Sequence, residues 1–361
     1  MFKKSIVYCL FLFLLFGCVE KSNSISDLSE LSYMLAFTSQ FGDSSELVGV
    51  SNDGKNIYDN SLDFGGIVSI TEKKNDIEIY TYEDVYTLSS QDDALKEEKI
   101  KTEVFGSPYR GTFTTYKENQ FFSYNQGFGD PYYKSAVFRN GEEFISIEGT
   151  ITDFGFHDNM IYVLYSHTAM ISSGVCDFRI DYYDLDTKER IDRIELPLIN
   201  QYSNAVGKII NNVFYIYAFS AHDATNLNSS FISVDLSRKT IDEIALGEVE
   251  QTKLENQSRS YVLNCFLLNH EIYLIQENGD FIRWNPEQNA ISIDVLKDHE
   301  SKYTSVYKVS ADDHLVRIGY DEEKLCIYKY NMKQNEVVAK NLIDYTEKRD
   351  MVLYDFIILN E

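Results

Sequence analysis

The side chains best suited to chemistry in this sequence sit in three polar stretches between apolar runs. Phe128, Asp130, Tyr132 and Tyr133 lie in the first, Asn125 to Lys134. His167 and Met170 lie in the second, Ser166 to Asp177, and His222, Asp223 and Asn226 in the third, Ser220 to Ser229. Aromatic rings beside imidazole, amide and carboxylate groups suit recognition of a polar ligand, a peptide or a glycan. His167 with His222-Asp223 would supply parts of a metal or general-base site. Structural zinc sites, however, use four ligands, commonly in close-spaced pairs, and no such pair of pairs occurs. The sequence contains no Gly-rich phosphate loop, no nucleophile elbow and no carboxylate pair that stands out from the acidic background. It therefore assigns no catalytic residue, no metal ligand and no cofactor, and it assigns the eight residues Phe128, Asp130, Tyr132, Tyr133, His167, His222, Asp223 and Asn226 to contact with a ligand or partner.

Such stretches need a scaffold that sets them side by side. From about residue 33 the chain is a series of runs of four to eight residues rich in Ile, Val, Tyr and Phe, broken by Asn, Asp, Gly and Ser, which is a strand signal. Helical spacing comes nearest at Asp92 to Lys101, and the end of that stretch reads as a strand. One four-strand phrase recurs: a run, a tight polar turn, a run ending in Tyr, a variable loop, a third run, a charged turn and a closing run. Thr152 to Val163, Ala205 to Ile216 and Asn264 to Ile275 each show its first half, two runs about an Asn or His turn. First strands start near Gly66, Thr112, Ile151, Ala205, Tyr261, Thr304 and Val352, an average interval of about 48 residues, which suits the blades of a propeller.

The start near Val352 has no room for its partners, whereas Tyr33 to Leu62 supplies three strands with no first. Joined, the two fragments make one blade and close a ring. The expected fold is thus all-β, a β-propeller of seven four-stranded blades closed by the C-terminal strand joining the N-terminal strands, with six or eight blades as alternatives. Pro108, Pro131, Pro197 and Pro286 all fall between the expected strands, as sheet interiors require. Tyr183-Asp184-Leu185-Asp186-Thr187-Lys188-Glu189-Arg190, Ser233-Val234-Asp235-Leu236-Ser237-Arg238-Lys239-Thr240 and Gly279-Asp280-Phe281-Ile282-Arg283-Trp284-Asn285-Pro286-Glu287 resemble the third-to-fourth-strand hairpins of YVTN and quinoprotein-like bacterial propellers. The likeness spans about residues 33–361 and implies architecture, not chemistry. Ser51-Asn52-Asp53-Gly54-Lys55 resembles the Asp-box of sialidase-type propellers only in part, since Gly comes one position early and Tyr58 stands where Trp would be, and it reads as a type I turn.

In this arrangement the loops from second to third strands open on one face. They are minimal near Tyr82-Glu83, Asn278-Gly279 and Glu322-Glu323, and long in the three consecutive blades that carry the eight residues above, so those loops would wall one sector of that face. His157, His270 and His314 fall in first-to-second-strand turns on the opposite face, as turn caps.

The first residues give an address. Met1-Phe2-Lys3-Lys4 precedes an apolar run from Ile6 to Phe16, then Gly17-Cys18 and an abruptly polar chain, the order of a secretory signal. The run is about half the length that spans a bilayer. Leu15-Phe16-Gly17-Cys18 resembles the lipobox of bacterial lipoproteins, with Phe16 bulkier than the residue usual at its place. The resemblance implies that Cys18 carries acyl chains such as palmitate and becomes the first mature residue. The chain is accordingly divided into a signal peptide (1–17), a lipidated Cys with a polar tether (18–32) and the propeller (33–361). Location is extracytoplasmic, on the outer face of a plasma membrane, or on an outer membrane where the source has two, since Val19 and not Asp follows the lipidated Cys.

Charge excludes one class of partner. With 33 Lys+Arg against 57 Asp+Glu the formal balance is -24, and engagement of nucleic acid needs clustered positive charge. Removing residues 1–17 takes Lys3 and Lys4 and no acid, leaving 31 against 57, a balance of -26. Cys9 departs with the signal, and Cys176, Cys265 and Cys326 form no disulfide framework; the last two fall in expected strands as small core residues. The functional expectation is a lipid-anchored binding protein that presents one loop face to a protein, peptide or cell-envelope glycan. The alternative is a propeller enzyme of hydrolase, lyase or lactonase type acting on a sugar or lactone, with acids near the central opening as general acid and base.

Overall fold

Short runs of β-branched and aromatic residues, each ended by a residue that tolerates positive φ, can satisfy their backbone groups only by pairing with neighbours. A computed structural model describes residues 30–39, 44–73, 76–81, 84–89, 95–99, 112–128, 133–167, 176–220, 229–244, 262–276, 279–298, 305–321, 324–345 and 351–359. In it every such run is a strand, and the strands form seven four-stranded antiparallel sheets. The first three are β1 (Tyr33–Ser39), β2 (Ser45–Val50) and β3 (Asn56–Leu62). Blade 1 is β4 (Ile67–Lys73), β5 (Asp76–Thr81), β6 (Asp84–Ser89) and β7 (Leu95–Lys99). Blade 2 is β8 (Phe113–Tyr116), β9 (Asn119–Phe128), β10 (Tyr133–Arg139) and β11 (Glu142–Glu148). Blade 3 is β12 (Thr150–His157), β13 (Met160–Ser166), β14 (Phe178–Asp184) and β15 (Arg190–Glu195). Blade 4 is β16 (Asn204–Ile210), β17 (Val213–Phe219), β18 (Ser229–Asp235) and β19 (Thr240–Ile244). Blade 5 is β20 (Val262–Leu268), β21 (Glu271–Gln276), β22 (Asp280–Asn285) and β23 (Ala290–Val295). Blade 6 is β24 (Ser305–Val309), β25 (Leu315–Asp321), β26 (Lys324–Asn331) and β27 (Glu336–Leu342).

The last strand, β28 (Met351–Ile358), pairs with β1, with Tyr33 opposite Ile358 and Ser39 opposite Met351, so the sheet β28-β1-β2-β3 is blade 7. The seven-bladed ring closed by both ends of the chain is as the sequence led us to expect, and every first strand begins within a residue or two of its expected start. The stretch nearest to helical spacing, Asp92 to Lys101, carries strand β7. Pro197 opens a 3-10 turn, Pro197–Ile199, and Pro286 sits in the turn after β22, whereas Pro108 and Pro131 lie outside the described residues.

A propeller has no single core. Its apolar side chains fall into seven clusters, one at each junction between neighbouring blades. Trp284 of β22 meets Tyr215 and Phe231 of blade 4 edge-on, with ring centroids 5.2 and 5.1 Å apart. Phe122 and Phe138 of blade 2 stack at 5.0 Å, and Phe122 tilts against Tyr80 of blade 1 at 4.7 Å. Leu31, at the end of the stretch read as tether, is buried in the junction of blades 7 and 1 and fills the space over Gly49.

The hairpin corners explain the polar punctuation. In four blades the residue ending the third strand turns its own side chain onto the next backbone N–H groups: Asp184 accepts from Asp186 and Thr187, Asp235 from Ser237 and Arg238, Asn285 from Gln288, and Asn331 from Lys333 and Gln334. The residue that closes each corner, Lys188, Lys239, Asn289 or Asn335, has positive φ. The corner after Asn331 repeats the three hairpins picked out in the sequence. The Ser51 to Lys55 stretch is also a corner, with Gly54 N–H bonded to Ser51 C=O at 2.9 Å. A Cβ on Gly54 would stand 2.0 Å from the Leu342 carbonyl oxygen, so this corner docks backbone to backbone on blade 6. His270 is the second residue of a tight β20–β21 turn with positive φ at both positions, and His314 donates its backbone N–H to Ser310 Oγ.

The buried carboxylate of blade 5 is paired. Glu271 of β21 holds Arg283 through its Nε and one terminal guanidinium nitrogen at 2.7 and 2.8 Å and accepts from Tyr273 and Asn285. Burial would raise this carboxyl, but the Arg283, Asn285 and Tyr273 donors overturn that and hold it below its ordinary range. A depressed carboxyl contributes stability that is present above the unfolded value, 4.5, and is lost as pH falls through the folded one. The Glu271→Gln variant is therefore expected to be less stable than the parent at pH 7, by about 2 kcal/mol. Urea unfolding at pH 7 and pH 3 should show that gap narrowing at the lower pH, and a constant gap would contradict the assignment.

Candidate functional site

Inner strands run from the loop face to the corner face, so the connections between second and third strands share the loop face with the links from blade to blade. The connections are unequal. Residues 82–83, 277–279 and 322–323 join those strands in blades 1, 5 and 6, whereas eleven residues separate Ser166 from Phe178 in blade 3 and nine separate Phe219 from Ser229 in blade 4. The third long loop expected, in blade 2, is mostly strand. Phe128 pairs with Tyr133 and Gly127 with Lys134, and a register shift there absorbs the extra residue, with Gly127 at φ +91. Gly, Asn and Gln in that stretch read as loop because a β-bulge uses the same residues as a turn. Two further long links enter this face, between Lys99 and Phe113 and between Ile244 and Val262.

Two of the eight expected contact residues each bond the link between blades 2 and 3. Tyr133 opens β10 and accepts the Gly149 N–H on its carbonyl at 2.7 Å. His167 follows β13, and its Nδ1 lies 2.9 Å from the Glu148 carbonyl. A carbonyl only accepts, so Nδ1 is the donor in this bond. The two residues thus flank the Glu148-Gly149 link. Gly149 has φ +147, and a Cβ there would lie 2.4 Å from the Ser166 carbonyl oxygen, so no larger residue permits this approach.

The stem below His167 is tied by several bonds. The His167 N–H donates to Asp177 C=O at 2.9 Å, Arg179 bridges Asp177 and Glu195, and Asn200 accepts the Cys176 and Phe178 N–H groups on its carbonyl and side-chain oxygens. In blade 4 the stem is closed by Phe219 opposite Ser229 and by Ser203, whose N–H and hydroxyl both reach the Phe219 carbonyl. Phe128 is placed by its backbone alone, and Asp130, Tyr132, His222, Asp223 and Asn226 lie outside the described residues.

The ring axis carries residues that sequence reading missed. Asp153 on β12 and Asp355 on β28 both follow a bulged residue, Thr152 and Tyr354. Asp153 accepts from Thr112 Oγ1 (3.2 Å) and Phe154 N (2.9 Å) on one oxygen, and from Gly207 N (3.1 Å) and Lys208 Nζ (3.3 Å) on the other. Asp355 does the same with Phe356 N (2.9 Å) and Lys308 Nζ (2.9 Å), then Ser69 Oγ (2.9 Å) and Ile70 N (3.0 Å). A carboxylate offers about four lone-pair directions, and in both residues all four are taken. A partial signal was legible: each Asp precedes Phe inside an inner strand, Thr152-Asp153-Phe154 and Tyr354-Asp355-Phe356.

These acids brace the ring, and none of their lone pairs is left to accept a proton from a substrate. Cys265 on β20 also sits near the axis, where burial pushes its thiol up to about 12 against the opposing influence of Lys208, so it stays protonated and unreactive at neutral pH. Among the described residues no group of three His, Cys, Asp or Glu side chains is placed to hold a metal ion. Asp153→Ala and Asp355→Ala would each leave a largely enclosed Lys without its partner, with an expected loss of about 3 kcal/mol. Glu189→Ala, at an exposed corner, is the control. If urea midpoints of the Asp variants match the control, the bracing role is wrong.

The model of the YycP β-propeller domain family matches residues 37–359. Among solved structures the fold is similar to a Synechocystis ACO mutant at 8% identity, covering 91% of this chain and 92% of that one with a TM-score of 0.51. BamB from Moraxella catarrhalis shares 10% identity over 82% of each chain with a TM-score of 0.43. Apo AztD from Citrobacter koseri shares 8% over 91% of this chain and 98% of that one with a TM-score of 0.45. At such identities the likeness concerns the ring alone. No curated protein matches the chain.

Proposed function

The chain belongs to the YycP β-propeller domain family, and from the geometry of that ring we propose that it is an extracytoplasmic binding protein, anchored by lipid at Cys18, whose loop face receives a protein, peptide or cell-envelope glycan. One observation carries the reading. The two longest connections between second and third strands rise from neighbouring blades 3 and 4, on stems fixed by Asp177–Arg179–Glu195 and by Ser203, beside the Tyr133 and His167 junction. Loops on rigid stems are where recognition residues are usually carried. Phe128, Asp130, Tyr132, Tyr133, His167, His222, Asp223 and Asn226 remain the proposed contact set. The enzymatic alternative draws less support, because the axial carboxylates Asp153 and Asp355 are committed to inter-blade bonds.

Crosslinking in intact cells followed by capture of the chain is expected to yield a partner that disappears with Tyr133→Ala and His167→Ala while the ring stays folded. Capture of the same partner by both variants would refute the face. The anchor has its own readout. Cys176 and Cys326 are buried, and burial raises their thiols, so the folded protein is expected to react slowly with a thiol reagent at pH 8. After denaturation a mature chain lipidated at Cys18 would titrate three thiols, those of Cys176, Cys265 and Cys326, and a fourth would show that Cys18 is unmodified.

A further inference from the structure

Both ends of the described chain leave the ring on the corner face. The Ser32 N–H donates to Val50 C=O at 2.9 Å, beside the Ser51 to Lys55 corner, and the Leu359 N–H donates to Ser32 C=O at 2.9 Å. β28 enters at the loop face and ends here, and β1 starts here, so the described chain begins at the corner end of blade 7, with Leu31 packed over Gly49 of β2. We propose that this corner face lies against the phospholipid surface and that the loop face with Tyr133 and His167 looks away from it. The inference rests on the Cys18 anchor of the preceding subsection.

The argument is one of reach. Cys18 is thirteen residues before Leu31, and at about 3.5 Å per residue that stretch spans at most about 45 Å in any conformation. Strands of seven residues make the blades about 23 Å deep, and the two outer strands of blade 7 add about 10 Å between the exit point and the rim. To bring the loop face to the bilayer, the tether would have to cross half a blade and climb its full depth before side chains and loops are counted. That takes up about three quarters of its reach, and with it much of the entropy that goes with slack. With the corner face towards the lipid no such path is needed.

Surface charge is mixed here. Exposed Lys55, Lys117, Lys188, Lys239 and Lys333 stand at the corners of five blades among exposed acids such as Asp53, Glu118 and Asp186, and Lys55 and Lys239 are paired with Asp53 and Asp192. The orientation therefore rests on the exit point and the reach of the tether. Partners in solution or in the cell wall would meet the loop face unobstructed by the membrane.

The test uses the full lipidated chain in vesicles of phosphatidylglycerol and phosphatidylcholine that contain a headgroup-attached quencher. A fluorophore is placed on Lys333→Cys at a corner, or on Lys134→Cys beside Tyr133 on the loop face, both exposed positions. Loss of emission at 333 with emission retained at 134 is expected. Equal quenching at the two positions, or the reverse order, on vesicles that keep the protein bound would overturn the orientation alone. If the parent chain washes from vesicles as readily as Cys18→Ala, the anchor fails and the orientation with it.

Discussion

Seven sheets around an axis share no common hydrogen-bond ladder, so something other than β-pairing must fix each blade to the next near the centre. Here two buried carboxylates meet that constraint at four of the seven junctions. Asp153 joins the inner strands of blades 2, 3 and 4, and Asp355 those of blades 6, 7 and 1. Each neutralises a Lys, each caps a backbone N–H of the following blade, and each sits after a bulge that takes the inner strand out of simple alternation. A buried charge is expensive unless all its bonding directions are filled. Filling them from three blades at once turns that cost into geometric specificity.

The outer parts of the blades follow from a different term. Each junction has its own apolar cluster, built from Tyr, Phe, Ile and Val that project from both faces of every sheet. Burial on two faces explains the high aromatic content and the near-continuous apolar runs of second strands such as β13 and β25. It also explains why exposure returns on the outermost strands, where Ile191, Val295 and Leu342 are half exposed. The loops inherit positions from this frame. The Tyr133 and His167 junction exists because Gly149 lets two backbones touch, and not because either side chain seeks the other.

Much of this was legible from residue order. The 48-residue period, the missing first strand at Tyr33 and the missing partners after Val352 led to seven blades and to the closing strand, since patterning with period two and turn residues is local information. The reading failed where one residue type serves two roles. Asn125 to Gly127 were taken as loop and prove to be a bulged continuation of β9, because Asn and Gly suit both. Asp153 and Asp355 passed unnoticed because acids are abundant in the chain and Asp before Phe occurs in other strands too, as at Asp280-Phe281 in β22.

The sequence by itself determined the number of strands, their grouping into blades, the corners that end them and the absence of the positive charge that nucleic acid requires. All of these depend on neighbours within a few dozen residues. Tertiary structure alone decided which carboxylates saturate themselves across blades, which contact residues bond the same link, and at which end of blade 7 the described chain begins. Those outcomes depend on pairings such as Asp355 with Ser69 and Gly54 with Leu342, whose members lie nearly the whole chain apart and meet only when the ring is closed.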